Sequence, residues 1–374
     1  MTKNNIGVLL MVKNEKESIK TTIDSFKDYF YTVIVLDTGS TDNTIEIIRN
    51  ICKINNQKLF LKETTFISFP ESRNDALEFA ETINGIDYLI LMDAGDEFRT
   101  NKTKKDLIDI INNIPSNCNY GIVTQRWLNK TDLDDHCDVR FVRNHKQLRY
   151  DTKYPVHERF RNTLDSEIFN TNELFFLYQD RNKYGISTDK RYKKDIELLL
   201  KAEPNKRNLY FLAQSYMSIE DFYNGYIYNI KSYDVKEDDL SDFDEKFTLV
   251  RIGYCAMRCN MDKNIIFNYL NLAIDTSNSE PPVDAFIYIL KYCIDNQIPR
   301  YALPYLKRLS KLVKPSSNDT LVNNNFYDYL RWHLISIVSL MCNEELLLGK
   351  YACLKAIKVA NHENDLKNIK LFSK

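Results

Sequence analysis

A mixed-sheet α/β domain followed by an all-α domain of helical repeats is the fold class this 374-residue sequence predicts. Three observations point to it. Up to about residue 112, short apolar runs alternate with amphipathic helices, the βαβα rhythm of a parallel sheet covered on both faces. From 119 to 180 the runs become short strands joined by turns, which suits a mixed or antiparallel extension of the sheet. After about 188 the strand signal ends and helix–turn–helix pairs recur. The predicted domains are therefore 1–187 and 188–374.

The elements follow in chain order. "IGVLLMV" (6–12) is a strand, and "EKESIKTTIDSFKDY" is a helix with Ile19, Ile23 and Phe26 on one face. "TVIVLD" (32–37) is the next strand. "TDNTIEIIRNICKI" is a helix that Asp42 or Thr41 caps, with Ile45, Ile48 and Cys52 inward. "KLFLKE" is a strand, "ESRNDALEFAETI" a helix and "DYLILMD" (87–93) a strand. "YGIVTQRWL", "VRFVRN", "QLRYD" and "PVHERF" read as short strands. "STDKRYKKDIELLLKAEP" is a helix with a serine or threonine cap before it and Pro204 behind it. In "NLYFLAQSYMSIEDFYNGYIYNIKSY", Leu209, Leu212, Ala213 and Tyr216 have the spacing of a tetratricopeptide first helix, and Gly225 stands at its small-residue position. Three further pairs follow at an irregular period of about 36–40 residues, a short degenerate array.

Composition excludes several function classes. A net charge of -1 gives no footprint for a nucleic-acid partner. The eight cysteines form no CxxC pair, so a zinc ribbon is not expected, and the pattern suits reduced thiols in a cytoplasmic protein. Cys255 and Cys259, one helical turn apart, read as small helix residues facing a core. The N-terminal apolar run is too short for a signal peptide. "WHLISIVSLMC" falls far short of the ~20 residues that span a bilayer, so any membrane contact would be peripheral.

Two apolar strands end on an acid, Asp37 and Asp93. In open α/β sheets ligands gather at the carboxyl ends of the strands, which is where both lie. "MVKNE" (11–15) makes a polar turn after the first strand. In "LDTGSTDNT" Gly39 lets the chain turn sharply, and residues 41–43 begin a helix. "LMDAGDEF" (91–98) brings two or three carboxylates out of an apolar strand together. Burying them without a cation costs several kcal/mol, and Mg²⁺ or Mn²⁺ with oxygen ligands relieves that cost.

Taken together, "VKNE", "LDTGSTDNT", "SRNDAL", "MDAGDE" and "VHE" resemble the family 2 glycosyltransferases of GT-A fold, over roughly residues 5–180. The resemblance implies a donor that is a nucleoside diphosphate sugar, a UDP-sugar favoured. Val12, Asn14 and Glu15 would lie near the nucleoside, with Asp37 on the base and Arg73 at the base or diphosphate. The acidic motif would hold the diphosphate through Mn²⁺ or Mg²⁺. Asp93 would face ribose and metal, Asp96 would ligate directly, and His157 would be either a third ligand or a structural histidine. Arg140 and Arg143 are candidate donor contacts. The family's usual spacing is Asp-any-Asp, whereas here two residues separate Asp93 from Asp96.

The implied chemistry is transfer of a hexosyl or N-acetylhexosaminyl group, with inversion, to a hydroxyl of a glycan or protein acceptor. Glu158 is the favoured base. Asp135 and Asp138, expected on a loop, are its rivals. The helical repeats would serve acceptor binding, self-association or a partner protein. Two other functions fit the sequence less well. A nucleotidyltransferase would carry a glycine-rich loop after the first strand, and "MVKNEKES" has no glycine. A decayed transferase would serve as a binding scaffold, against which the retained Asp37, Asp93, Asp96 and His157 speak.

Overall fold

The computed structural model describes residues 5–129, 132–145, 148–161, 167–171, 174–180, 183, 188–236, 242–276, 280–315 and 323–372. The chain forms two compact units, Met1–Ala202 and Glu203–Lys374.

The first unit is a mixed α/β sheet domain. Four strands are parallel: β1 (Ile6–Val12), β2 (Thr32–Asp37), β3 (Lys58–Glu63) and β4 (Tyr88–Met92), in spatial order β3-β2-β1-β4. Alternate side chains of these strands point to opposite faces. Val8, Leu10, Val33, Val35 and Ile90 pack on one face with Ile19, Ile23 and Phe26 of α1 (Ile19–Phe26) and Ile48 of α2 (Thr44–Ile54). Leu9, Ile34, Leu36 and Leu91 pack on the other with Ala76, Leu77 and Ala80 of α3 (Phe69–Glu81). Burying both faces is why these strands read as continuous apolar runs. In α2 the inward residues are Thr44, Ile48, Ile51 and Cys52, so Ile51 takes the place expected of Ile45.

The sheet continues with β5 (Glu97–Arg99), β6 (Cys118–Asn129), β7 (Asp132–Arg143), β8 (Glu167–Asn170) and β9 (Phe176–Asp180), while α4 (Lys104–Asn112) precedes β6. β7 runs antiparallel to β4 and to β6; β8 and β9 pair parallel to β6, and β5 closes antiparallel on β9. Asp135 and Asp138 therefore lie in a strand, not on a loop, because the two twelve-residue strands β6 and β7 pair through them. Residues 148–151 of "QLRYD" and all of "PVHERF" lie outside the strands, and Gln147 lies outside the described residues. Their segments meet at a single antiparallel bridge, Tyr150 to Phe160, whose rings stack at 4.0 Å. β5, β8 and β9 escaped the sequence reading because each is at most five residues long and finds its partner far along the chain.

Helix α5 (Thr188–Lys201) belongs to the first unit, and Lys194 lies over the Phe66 and Phe69 rings. The unit division thus falls one helix after the expected boundary at 187/188. A cap at Ser187 lies outside the described residues.

The second unit is all-α: α6 (Lys206–Ser218), α7 (Phe222–Asp234), α8 (Asp242–Arg258), α9 (Lys263–Asp275), α10 (Val283–Asp295), α11 (Leu303–Lys311), α12 (Arg331–Cys342), α13 (Leu346–Ala360) and α14 (Glu363–Leu371). Sequential pairs pack α6 on α7, α8 on α9 and α12 on α13. One apolar cluster runs from Leu249 to Ala356, with Phe286, Ile289, Leu290, Leu306 and Ile335 fully buried. Gly225 is needed at its crossing: a Cβ there would stand 2.8 Å from Met217 Cγ and 3.2 Å from Cys255 Sγ. Cys255 is buried and Cys259 half-buried, and neither is in a disulfide. Among the described residues, no helix is long and apolar enough to cross a membrane.

Candidate functional site

The carboxyl ends of β1 and β2 are tied into one rigid edge. After Val12 the chain turns at Asn14, which adopts a left-handed φ of 57°. That conformation suits asparagine better than most residues. Asn14 Oδ1 accepts from Thr41 N at 2.7 Å, and Asn14 N donates to Ser40 Oγ at 2.9 Å. Glu15 N donates to Thr44 Oγ1 at 2.7 Å. "VKNE" and "GSTDNT" are thus one hydrogen-bonded structure, and burial raises the Glu15 carboxyl. Asp37 sits beneath it, 2% exposed. Its Oδ2 accepts from Gly39 N (3.0 Å) and Ser40 N (2.9 Å), and its Oδ1 accepts from the Ser40 hydroxyl. The acid that ends β2 holds its own turn.

The acid after β4 also closes a turn. Asp96 N donates to Asp93 O at 3.1 Å, and Asp96 Oδ2 accepts from Asp93 N at 2.9 Å. Gly95, the third residue, has φ 95°, which a type II turn requires and glycine supplies. Helix α1 fastens the turn from below. Thr22 Oγ1 accepts from Gly95 N at 2.8 Å, and Ser25 Oγ accepts from Phe98 N at 2.9 Å. Asp96 is 1% exposed and points inward. Burial first, and then the negative charge of Asp93, push its carboxyl well above the usual range.

Two arginines grip Asp93. Arg73 of α3 donates from Nη2 to Oδ1 at 3.0 Å, and Arg140 of β7 donates from Nη1 to Oδ2 at 2.9 Å. Arg73 also donates from Nε to Glu158 Oε1 at 3.1 Å. Arg140 Nε lies 3.3 Å from Asp138 Oδ2, an ion pair without hydrogen-bond alignment. Burial opposes the charge on Asp93, but Arg140 and Arg73 outweigh it and hold the carboxyl well below the usual carboxylate range. The chain positions the arginines through "SRNDAL". Ser72 faces the core and Arg73 faces the strand ends. Asn74 accepts from Tyr150 N at 2.7 Å and donates to Tyr150 O at 3.0 Å. Tyr150 in turn presents its ring to the Arg73 guanidinium at 5.8 Å. A narrow cleft beside Arg73 is lined by Leu9, Met11, Leu91 and Tyr150. A wider one, about 340 Å³, lies in the second unit by Glu280, Arg308 and Lys311; size alone gives it no chemistry.

The structure therefore brings together Arg73, Asp93, Arg140 and Glu158, with Asp96 inside the same turn. Val12, Asn14, Glu15 and Asp37 form the neighbouring strand ends. Arg143 is not part of the cluster. It pairs with Tyr88 at the amino end of β4, three residues or ~10 Å along β7 from Arg140 and on the opposite face. There it donates to the Pro115 and Cys118 carbonyls and covers the Tyr88 ring at 4.6 Å. Asp135 is also remote, ~17 Å along β7 from Arg140. It forms a bidentate pair with Arg126 on the hairpin, at 2.7 and 2.8 Å. His157 precedes Glu158 with a left-handed φ of 51°.

The expected metal set of Asp93, Asp96 and His157 is not assembled. Among the described residues, no three His, Cys, Asp or Glu side chains stand together to hold a metal ion. Both Asp93 oxygens accept from guanidinium groups, Asp96 is turned onto a backbone amide, and Gly95 offers no ligand. A divalent cation of this class needs several oxygen ligands, so the residues as arranged do not fit it. Sequence reasoning also missed Thr22, Ser25, Asn74 and Tyr150. For the first two a signal existed: small hydroxyls among Ile19, Ile23 and Phe26 on a helix face that packs inward.

Residues 8–167 match the model of "Glycosyl transferase family 2". No curated protein matches the chain by sequence. Among solved structures, it is similar to S. aureus TarS 1-349 in complex with UDP, at 12% identity and a TM-score of 0.37, covering 85% of this chain and 94% of that one. The same protein in complex with UDP-GlcNAc gives 13% identity and a TM-score of 0.36, covering 81% and 92%. Glucosyl-3-phosphoglycerate synthase from Mycobacterium tuberculosis gives 17% and 0.24, covering 34% and 45%. At such low scores the likeness bears on neither substrate nor partner. The match to the glycosyl transferase family 2 model thus lies within the first unit, over residues 8–167.

Proposed function

We propose that the chain is an inverting glycosyltransferase. It moves a hexosyl or N-acetylhexosaminyl group from a nucleoside diphosphate sugar, UDP-linked in the first instance, to a hydroxyl of a glycan or protein acceptor. The observation that carries this reading is the Arg73–Asp93–Arg140 cluster at the carboxyl end of β4, within the residues that match the family 2 model. Two half-buried to buried guanidiniums in reach of one another recognise phosphate oxygens in a way that lysine does not. The nucleoside lies against the strand ends carrying Val12, Asn14, Glu15 and Asp37.

In the transfer step the acceptor oxygen bonds to the anomeric carbon as the bond from that carbon to the diphosphate oxygen breaks. The electron pair leaves with the diphosphate, where the arginines meet the developing charge. The acceptor proton passes to a carboxylate, for which Glu158 is our assignment. The Nε–H of Arg73 orients that carboxylate in the resting site. We assign the helical region, residues 188–374 in our domain division, to acceptor binding or self-association as a tetratricopeptide-like array.

A thermal-shift screen of sugar nucleotides on the full chain tests the reading. A ligand at ~100 Kd adds about 2.7 kcal/mol to the unit that binds it. The expected result is a raised Tm with one nucleotide base preferred. No shift with any sugar nucleotide, with or without Mn²⁺, would overturn the assignment.

A further inference from the structure

The acidic turn and the arginines disagree with a metal-bridged donor. A cation that bridges protein and diphosphate needs free carboxylate oxygens facing the ligand. Asp93 is the acid of the turn that the arginines hold, and each of its oxygens already accepts from a guanidinium. Asp96 Oδ2 accepts from the Asp93 backbone amide, and the residue is buried at 1% exposure. Gly95, two residues after Asp93, has no side chain to offer, and its positive φ is built into the turn. The positive charge is therefore protein-borne. Arg73 and Arg140 approach Asp93 from different elements, α3 and β7, and their side chains are only 16% and 10% exposed.

We infer that Arg73 and Arg140, and not a divalent cation on the Asp93–Asp96 turn, meet the charge of the donor's diphosphate, so that donor binding needs no metal. The inference rests on the reading of this cluster as a donor site. Its physical basis is exchange of like for like. A phosphate oxygen that takes over a guanidinium N–H from Asp93 or Glu158 keeps each buried arginine paired, while the displaced carboxylate oxygen loses that one partner. Guanidinium forks match phosphate geometry bidentately, and arginine keeps its charge in a buried setting. A Glu158 oxygen released by the Arg73 Nε–H is free to accept from the acceptor hydroxyl, which couples donor binding to acceptor binding.

The test uses the full chain stripped of metal with EDTA. UDP is titrated calorimetrically in EDTA and again in millimolar Mn²⁺, with GDP, ADP and dTDP as parallel probes. Mn²⁺ alone is titrated and followed by electron paramagnetic resonance. The expected result is nucleoside diphosphate binding that differs less than threefold between EDTA and Mn²⁺. With it, Arg140→Met weakens that binding more than tenfold, Arg140→Lys weakens it less, and both variants stay folded by circular dichroism. Binding that appears only with Mn²⁺ overturns the inference and leaves the transferase reading standing. Binding of no nucleoside diphosphate under either condition overturns both. Should Arg140→Met fail to fold, Arg140→Lys decides: unchanged affinity for both the charge-kept variant and Arg73→Lys counts against the arginine grip.

Discussion

Arg140→Met removes one of the two guanidiniums on Asp93 and tests the electrostatics of the cluster directly. Methionine keeps much of the side-chain volume, so the cavity contribution is small. What is lost is a charge-assisted hydrogen bond of 2.9 Å to a carboxylate whose second partner, Arg73, remains. Breaking a fully buried pair costs ~3–5 kcal/mol, but Asp93 is 34% exposed and partly screened, so about 1–3 kcal/mol is expected. The sign with pH is set by the depressed Asp93 carboxyl. Its folded pKa lies below the unfolded value near 3.9, so its stabilisation is complete above that value and is lost as pH falls through the folded one. Wild type and variant should therefore differ by about 1–3 kcal/mol at pH 7 and converge only once pH has fallen through the depressed folded pKa of Asp93. Urea unfolding of the first unit's transition measures this, with the second unit's transition as an internal control. A difference that stays constant from pH 7 down through the folded pKa of Asp93 would refute the electrostatic account and assign the loss to packing.

Three further outcomes are expected. Glu158→Gln should lower transfer by ~10²–10⁴-fold while UDP affinity measured by calorimetry holds, since the change removes a proton acceptor and not the arginines. Asp37→Ala should cost about 1–3 kcal/mol, because Gly39 N and Ser40 N lose their acceptor, and UDP affinity should fall with it; an unchanged melting curve would show the turn to be held by other contacts. In the second unit, Asp365 is fully buried and accepts from Tyr329 Oη at 2.9 Å and pairs with His333 Nδ1 at 2.7 Å. Asp365→Ala should cost that unit about 3 kcal/mol, and hydrogen exchange should show α14 opening before the other helices.

Much of the first unit was legible because its information is local. The apolar runs of β1, β2 and β4 and the stripes of α1 and α3 are set by periods of two and 3.6 residues that any short window reveals. The same holds for the strand ends: Asp37 and Asp93 mark where an apolar strand gives way to a turn, and Gly39 and Gly95 mark the turns themselves. The helix pairs of the second unit were legible for the same reason, down to the crowded position of Gly225.

The roles of the acids were not legible, because a side chain's partner is a matter of register between distant segments. Arg73 meets Glu158 across 85 positions and Arg140 meets Asp93 across 47. "DAGDE" read alone looks like a cation site, since clustered carboxylates need a counter-charge. The sequence determined that need by itself. Only the tertiary structure decided what meets it: α3 and β7 deliver two arginines to Asp93, while the type II turn at Gly95 rotates Asp96 inward onto a backbone amide. The same register argument separates Arg140 from Arg143. Both stand in "VRFVR", but three strand residues place them on opposite faces, and the antiparallel pairing of β7 with β4 puts one at the carboxyl end of the sheet and the other at its amino end.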